Sequence, residues 1–128
     1  MDKIRFGYFQ AVTPRGTGYI CVALRRPTKE LNETEPHHAA FSFCSPKDRF
    51  NKKLARMIAT NRLEFSKKLD CNWFVEFFTT APNNKLATIK ALESAIKKGR
   101  VPRWVDVAAD RNKITVGLTQ GTTELLSF

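Results

Sequence analysis

The chain has 128 residues, 42% of them hydrophobic, and its 22 Lys and Arg against 12 Asp and Glu leave a net charge of +10. That apolar supply, ten Phe included, excludes a disordered basic tail, and the length suits one domain spanning residues 1–128. No run approaches the ~20 consecutive apolar residues of a membrane span. The charged start Met1-Asp2-Lys3-Ile4-Arg5 does not read as a signal peptide, so a cytoplasmic protein is expected.

Residues 3–12 alternate, with Ile4, Phe6, Tyr8, Gln10 and Val12 on one face, which predicts a strand. Thr13-Pro14-Arg15-Gly16-Thr17-Gly18 supplies a turn with a basic tip, and 19–25 a second strand, so a hairpin follows. Residues 26–38 are polar, carry Pro27, Pro36, Glu30, Glu33 and Glu35, and read as a surface loop. A third strand is expected over 39–44. Ser45-Pro46-Lys47-Asp48 then resembles a helix start, with Ser45 as N-cap and Pro46 at the first helical position. That helix should run to about Asn61 and bury Phe50, Leu54, Met57 and Ile58. Residues 63–69 read as a strand before a turn at Asp70-Cys71-Asn72, while 73–79 fit strand or helix, since Trp73, Phe74, Phe77 and Phe78 also sit at helical spacing. Asn83 or Asn84 caps a helix over 85–98 with Leu86, Ile89, Leu92 and Ile96 inward, and Gly99 ends it. Short strands around 105–107, 114–118 and 124–128, with Gly121 in a turn, complete an α+β fold: an antiparallel sheet with two amphipathic helices packed against it.

The positive charge is clustered. At about 100° per residue, Arg49, Lys52, Lys53 and Arg56 form one helical stripe beside the buried face. Residues 47–68 carry eight basic side chains, Lys47, Arg62, Lys67 and Lys68 completing the set, against Asp48 and Glu64. A second cluster, Lys97, Lys98, Arg100 and Arg103, contains no acid, while acids gather in the 30–35 loop. This segregation is the electrostatic footprint of a nucleic-acid-binding protein.

A cationic track with aromatic platforms suits single-stranded nucleic acid, and Tyr8 and Tyr19 are the candidate platforms. Phe9, Phe41 and Phe43 on the same strands fit a core role better. No ribonucleoprotein motif, zinc-finger spacing or helix-turn-helix pair appears. Chemistry has little foothold. His37 and His38 point apart in an extended segment, and Cys21, Cys44 and Cys71 lack ligand spacing and read as core thiols. Gly16-Thr17-Gly18 is a turn without the Gly-Lys-Ser/Thr ending of a phosphate loop. The expectation is a non-catalytic binder of nucleic acid with no metal and no cofactor.

The run from Phe41-Ser42-Phe43-Cys44-Ser45-Pro46 through Lys47-Asp48-Arg49-Phe50 to Lys52-Lys53 and Ala55-Arg56 resembles a segment of small bacteriophage and mobile-element proteins. The resemblance implies a protein made in an infected bacterial host and transfers no activity and no catalytic residue. It adds an alternative to nucleic-acid binding: a module that meets an acidic host protein and inhibits or redirects a host machine in transcription or defence.

Overall fold

Alternating side chains at the N-terminus produce β1 (Ile4–Thr13) and β2 (Gly16–Arg25), an antiparallel hairpin paired from Ile4–Arg25 to Thr13–Gly16. The computed structural model describes residues 3–27, 36–69, 73–118, 126 and 128. Pro14 and Arg15 form the hairpin tip, and Gly16 takes φ +123°, which side-chain-bearing residues rarely adopt. Thr13 Oγ1 locks the turn by donating to Gly16 O at 2.8 Å and accepting the Arg15 N–H at 3.2 Å. With β3 (His37–Cys44), β4 (Phe74–Phe77) and β5 (Ile114–Val116), the sheet is antiparallel throughout in the order β4-β3-β2-β1-β5.

Strand side chains alternate between two faces, and helices cover both. Phe9, Ile20, Leu24 and Phe41 join Ala91 and Leu92 of α2 (Asn84–Lys97) and Val105 and Ala109 of α3 (Arg103–Asp110) in the larger core. On the other face Cys21, Ala23 and Ala40 lie under Ala55, Ala59 and Leu63 of α1 (Lys52–Leu69), with Phe6, Tyr8, Phe50 and Phe74 around them. The result is the expected α+β fold, with three helices instead of two.

The inward side of α1 is chosen by the sheet beneath it. Leu54 and Met57, expected inside, are 47% and 55% exposed, because the small residues of β2 and β3 receive the alanines of the helix. Ala59→Leu should therefore overfill this interface. A loss of about 1–3 kcal/mol is expected, read as a lower urea midpoint at unchanged slope.

Several boundaries move for identifiable reasons. Ser45 caps a turn, not a helix: its carbonyl accepts Asp48 N–H at 2.9 Å and its Oγ accepts Lys47 N–H at 3.3 Å. Asn51 is the cap of α1, its Oδ1 accepting Leu54 N–H at 3.0 Å, while Phe50 stacks on Tyr19 at 4.6 Å. Residues 63–69, expected as a strand, continue α1, since Ala55, Ala59 and Leu63 repeat every four residues along one face. Residues 74–77 resolve the helix-or-strand alternative as β4. The expected strand at 105–107 is α3 instead, because Val105, Ala108 and Ala109 bury together at helical spacing after Pro102. In α2, Asn83 caps through Leu86 N–H and Gly99 ends the helix at φ +67°, as expected. Leu92 is buried and Ile89 and Ile96 pack against the core, as expected, but the fully inward face is completed by Ala87, Thr88, Ala91 and Ala95, and Leu86 is 42% exposed. The 28–35 loop segment, the 70–72 turn, Gly121 and most of the 124–128 strand lie outside the described residues, though Leu126 N–H reaches Ile114 O at 2.9 Å.

His37 and His38 do diverge. His38 lies 3.3 Å from Glu76, whereas His37 is fully buried against Phe77, its Nε2 accepting from Arg26 Nε at 3.3 Å. Burial, followed by the charges of Arg26 and His38, lowers the His37 pKa below its ordinary 6.5. The folded state therefore holds the neutral ring, and as pH falls through 6.5 the unfolded chain takes up the proton first. Stability is expected to be full above that pH and to decline below it. In His37→Gln, which keeps an acceptor for Arg26, the decline between about pH 7 and 5.5 should flatten in urea titrations.

Candidate nucleic-acid interface

Three segments distant in sequence meet at the hairpin end of the sheet. Val12 N–H donates to Lys113 O at 3.0 Å, which ties the β1 end to the corner between α3 and β5. Trp104 closes in because Gly18 has no Cβ: a side chain there would overlap the benzo ring of the indole. Phe43 meets the indole edge-on, at 87° and 6.5 Å between centroids. Between the tip, the 45–48 turn and α3 lies a groove of about 470 Å³. Val12, Pro46, Trp104, Val107 and Ala108 make its apolar walls, and Arg15, Lys47, Arg103 and Arg111 are its cations. Among the described residues, no carboxylate lines it.

Two of those cations, Lys47 and Arg103, belonged to separate clusters in the sequence and are here brought to one cavity. Arg15, Arg111 and Trp104 were not among the candidate residues. Their signal was present: Arg103, Trp104, Val107, Ala108 and Arg111 fall on one face once the segment is helical, and Arg15 crowns a predicted turn.

The expected stripe on α1 is reorganised. Arg49 precedes the helix and is exposed, so only Lys52, Lys53 and Arg56 lie within it. Lys52 Nζ sits 5.0 Å from the centre of the Tyr8 ring, and the Arg56 guanidinium 4.2 Å from that of Phe6. Cation–π contacts at exposed sites contribute about 0.5–1 kcal/mol each. Lys53, about 100° around the helix from Lys52, is exposed and makes no such ring contact among the described residues. Among the described residues, none of Lys47, Arg49, Lys52, Lys53 and Arg56 pairs with a carboxylate.

Arg62 has a structural job. It is half-buried, and its guanidinium donates to Phe41 O at 2.7 Å, fastening α1 to β3. Arg62→Ala should cost about 1.5–3 kcal/mol in urea unfolding while leaving the salt dependence of any polyanion binding unchanged.

The second cluster does not form one track. Lys97 pairs with Glu93 at 3.1 Å, and Lys98 Nζ donates to Glu76 O at 2.7 Å, beside β4. Arg103 lines the groove next to β1, with β2 and β3 between those two strands, and Arg100 is exposed in the connection. The cluster that lacks acids in sequence thus gains the Glu93 carboxylate and the backbone carbonyl of Glu76 as partners in space.

Neither tyrosine stands free as a platform. Tyr8 is half-buried under Lys52, and burial, then the Cys21 thiol, raises its pKa. Tyr19 is stacked on Phe50 with ring planes 25° apart. Trp104 is the aromatic ring at the cavity. Burial pushes the Cys21 thiol up to about 12, and it also raises that of Cys44, with Asp48 adding to it. Among the described residues, no three His, Cys, Asp or Glu side chains cluster closely enough to hold a metal ion. No helix there is long and apolar enough to cross a membrane. Comparison with protein-family models, curated proteins and solved structures returns no match.

Proposed function

We propose that this chain is a non-catalytic binder of nucleic acid with a preference for single strands. The observation that carries the reading is the hairpin-end groove, where, among the described residues, four cations from three separate segments surround apolar walls without an acid. Arg49, Lys52, Lys53 and Arg56 add four exposed cations after the 45–48 turn, three of them on α1 at the other face of the sheet. A local rule is broken in the same place. The first turn of α1 contains no acid and opens with Lys52 and Lys53, where the helix dipole favours negative charge. Cations kept against local stability are a sign of function.

Labelled single- and double-stranded DNA and RNA, titrated across a salt series, test the proposal. Single strands should bind more tightly, with log K falling against log salt at a slope near −3.5 if about five phosphates are neutralised. Binding that ignores salt, or its absence at low salt, defeats the reading.

One observation favours a second reading, a phage-encoded module for an acidic host protein. Leu54, Met57 and Phe65 are 47%, 55% and 44% exposed on one side of α1. A stoichiometric protein partner recovered from nuclease-treated lysate and lost in Met57→Asp supports it. Recovery of nucleic acid alone supports the first.

A further inference from the structure

We infer that the hairpin-end groove takes one unpaired nucleobase against Trp104, with the adjoining phosphates on Arg15, Lys47, Arg103 and Arg111. The inference rests on the nucleic-acid reading and assigns the part of the polymer that enters the cavity. A bare phosphate track would need only exposed cations. Here the cations rim a cavity walled by Val12, Trp104, Val107 and Ala108, and its volume, about 470 Å³, lies in the ~300–1,000 Å³ range of small-molecule sites.

An alternation of flat apolar surface and negative charge matches that lining, and a nucleotide chain repeats it at every residue. Three of the four cations are Arg, whose planar fork meets phosphate oxygens in pairs. A base inside a duplex has both faces covered by its neighbours and must be extruded at a cost before it enters, so the cavity itself selects single strands.

Base identity should matter little. Among the described residues, the hydroxyls at the groove are those of Thr13 and Ser45, and both are engaged with backbone: Thr13 Oγ1 with Gly16 O and Arg15 N–H, Ser45 Oγ with Lys47 N–H. Stacking on an aromatic ring is tolerant of sequence because every base has a π-face.

Trp104 offers a direct readout. In the full chain carrying Trp73→Phe, its fluorescence is followed while a short single-stranded oligonucleotide, the same backbone made abasic, or inorganic polyphosphate is added. The normal oligonucleotide is expected to quench the signal and to bind about tenfold more tightly than the abasic one, with polyphosphate behaving like the abasic strand. Trp104→Leu should abolish that tenfold advantage. Because the indole also packs on Gly18 and Phe43, Val12→Gln is the second variant. Val12 is 53% exposed, and the substitution intrudes on the groove without changing charge. It should cut the advantage several-fold at an unchanged melting temperature.

Equal affinity for normal and abasic strands, with normal salt dependence, overturns the base-binding site and leaves the nucleic-acid reading standing. Failure of all three ligands to bind overturns that reading itself. An acidic peptide with an aromatic residue that displaces the oligonucleotide and matches its affinity assigns the groove to a protein partner and overturns the inference.

Discussion

Reversing Lys47, Arg49 and Lys53 together to Glu is expected to abolish binding of single-stranded oligonucleotide at physiological salt without unfolding the protein. The triple variant takes the net charge from +10 to +4. If each of the three meets one phosphate, the salt slope should shrink by about 2. The choice of residues follows from the geometry. All three are exposed and, among the described residues, have no carboxylate partner, so their removal breaks no ion pair of the fold. Lys52 and Arg56 are poorer probes, because each covers an aromatic ring of β1 and its reversal mixes lost packing with lost charge. Glu at position 53 also lies in the first turn of α1, where an acid is favoured by about 0.3–1 kcal/mol. A melting temperature at or slightly above that of the parent, combined with lost binding, is the expected pair of results. Unchanged affinity and slope, measured by fluorescence anisotropy over a salt series, would remove these cations from the interface.

Phe41→Ala should have the largest effect on stability. Phe41 is fully buried in β3, a strand flanked on both sides in the sheet, and its ring lies 5.7 Å from that of Phe43 at an angle of 14°. Truncation removes the apolar contact and leaves a cavity that strands held by pairing on both edges cannot close. The expected cost is about 3–5 kcal/mol. Against a typical total of about 5–15 kcal/mol, that is a large part of the stability of such a domain. The backbone carbonyl that receives Arg62 is retained, so the loss reports the ring alone. Equilibrium urea unfolding of parent and variant checks it, and a difference below about 1 kcal/mol would mean that the larger core is not centred where Phe9, Ile20 and Phe41 place it.

The candidate interface was partly legible in the sequence. The charge excess between residues 47 and 68 is a property of composition and needs no fold to be noticed. Its division of labour does need one. Arg62 holds a carbonyl of β3, Lys97 gains the Glu93 carboxylate and Lys98 the backbone carbonyl of Glu76, and Tyr8 and Tyr19 are engaged by α1 and by Phe50. The converse holds at Trp104, which directly precedes the expected strand at 105–107 and, in α3, lines the groove. Alternation of Val105 and Val107 suggested a strand, while Val105, Ala108 and Ala109 equally satisfy a helix. Short apolar segments do not discriminate between the two periods.

Features that depend on near neighbours along the chain follow from local pattern: the β1–β2 hairpin around Pro14-Arg15-Gly16, the Asn83 cap and Gly99 stop of α2, and the concentration of cations after β3. Long-range packing sets which face of α1 turns inward, because that depends on the small side chains of Cys21, Ala23 and Ala40 beneath it. The same packing brings Arg15, Lys47 and Arg103 to one cavity. Their meeting is made by the pairing of β1 with β5 and by the indole resting on Gly18, contacts between residues far apart in the chain that no local pattern encodes.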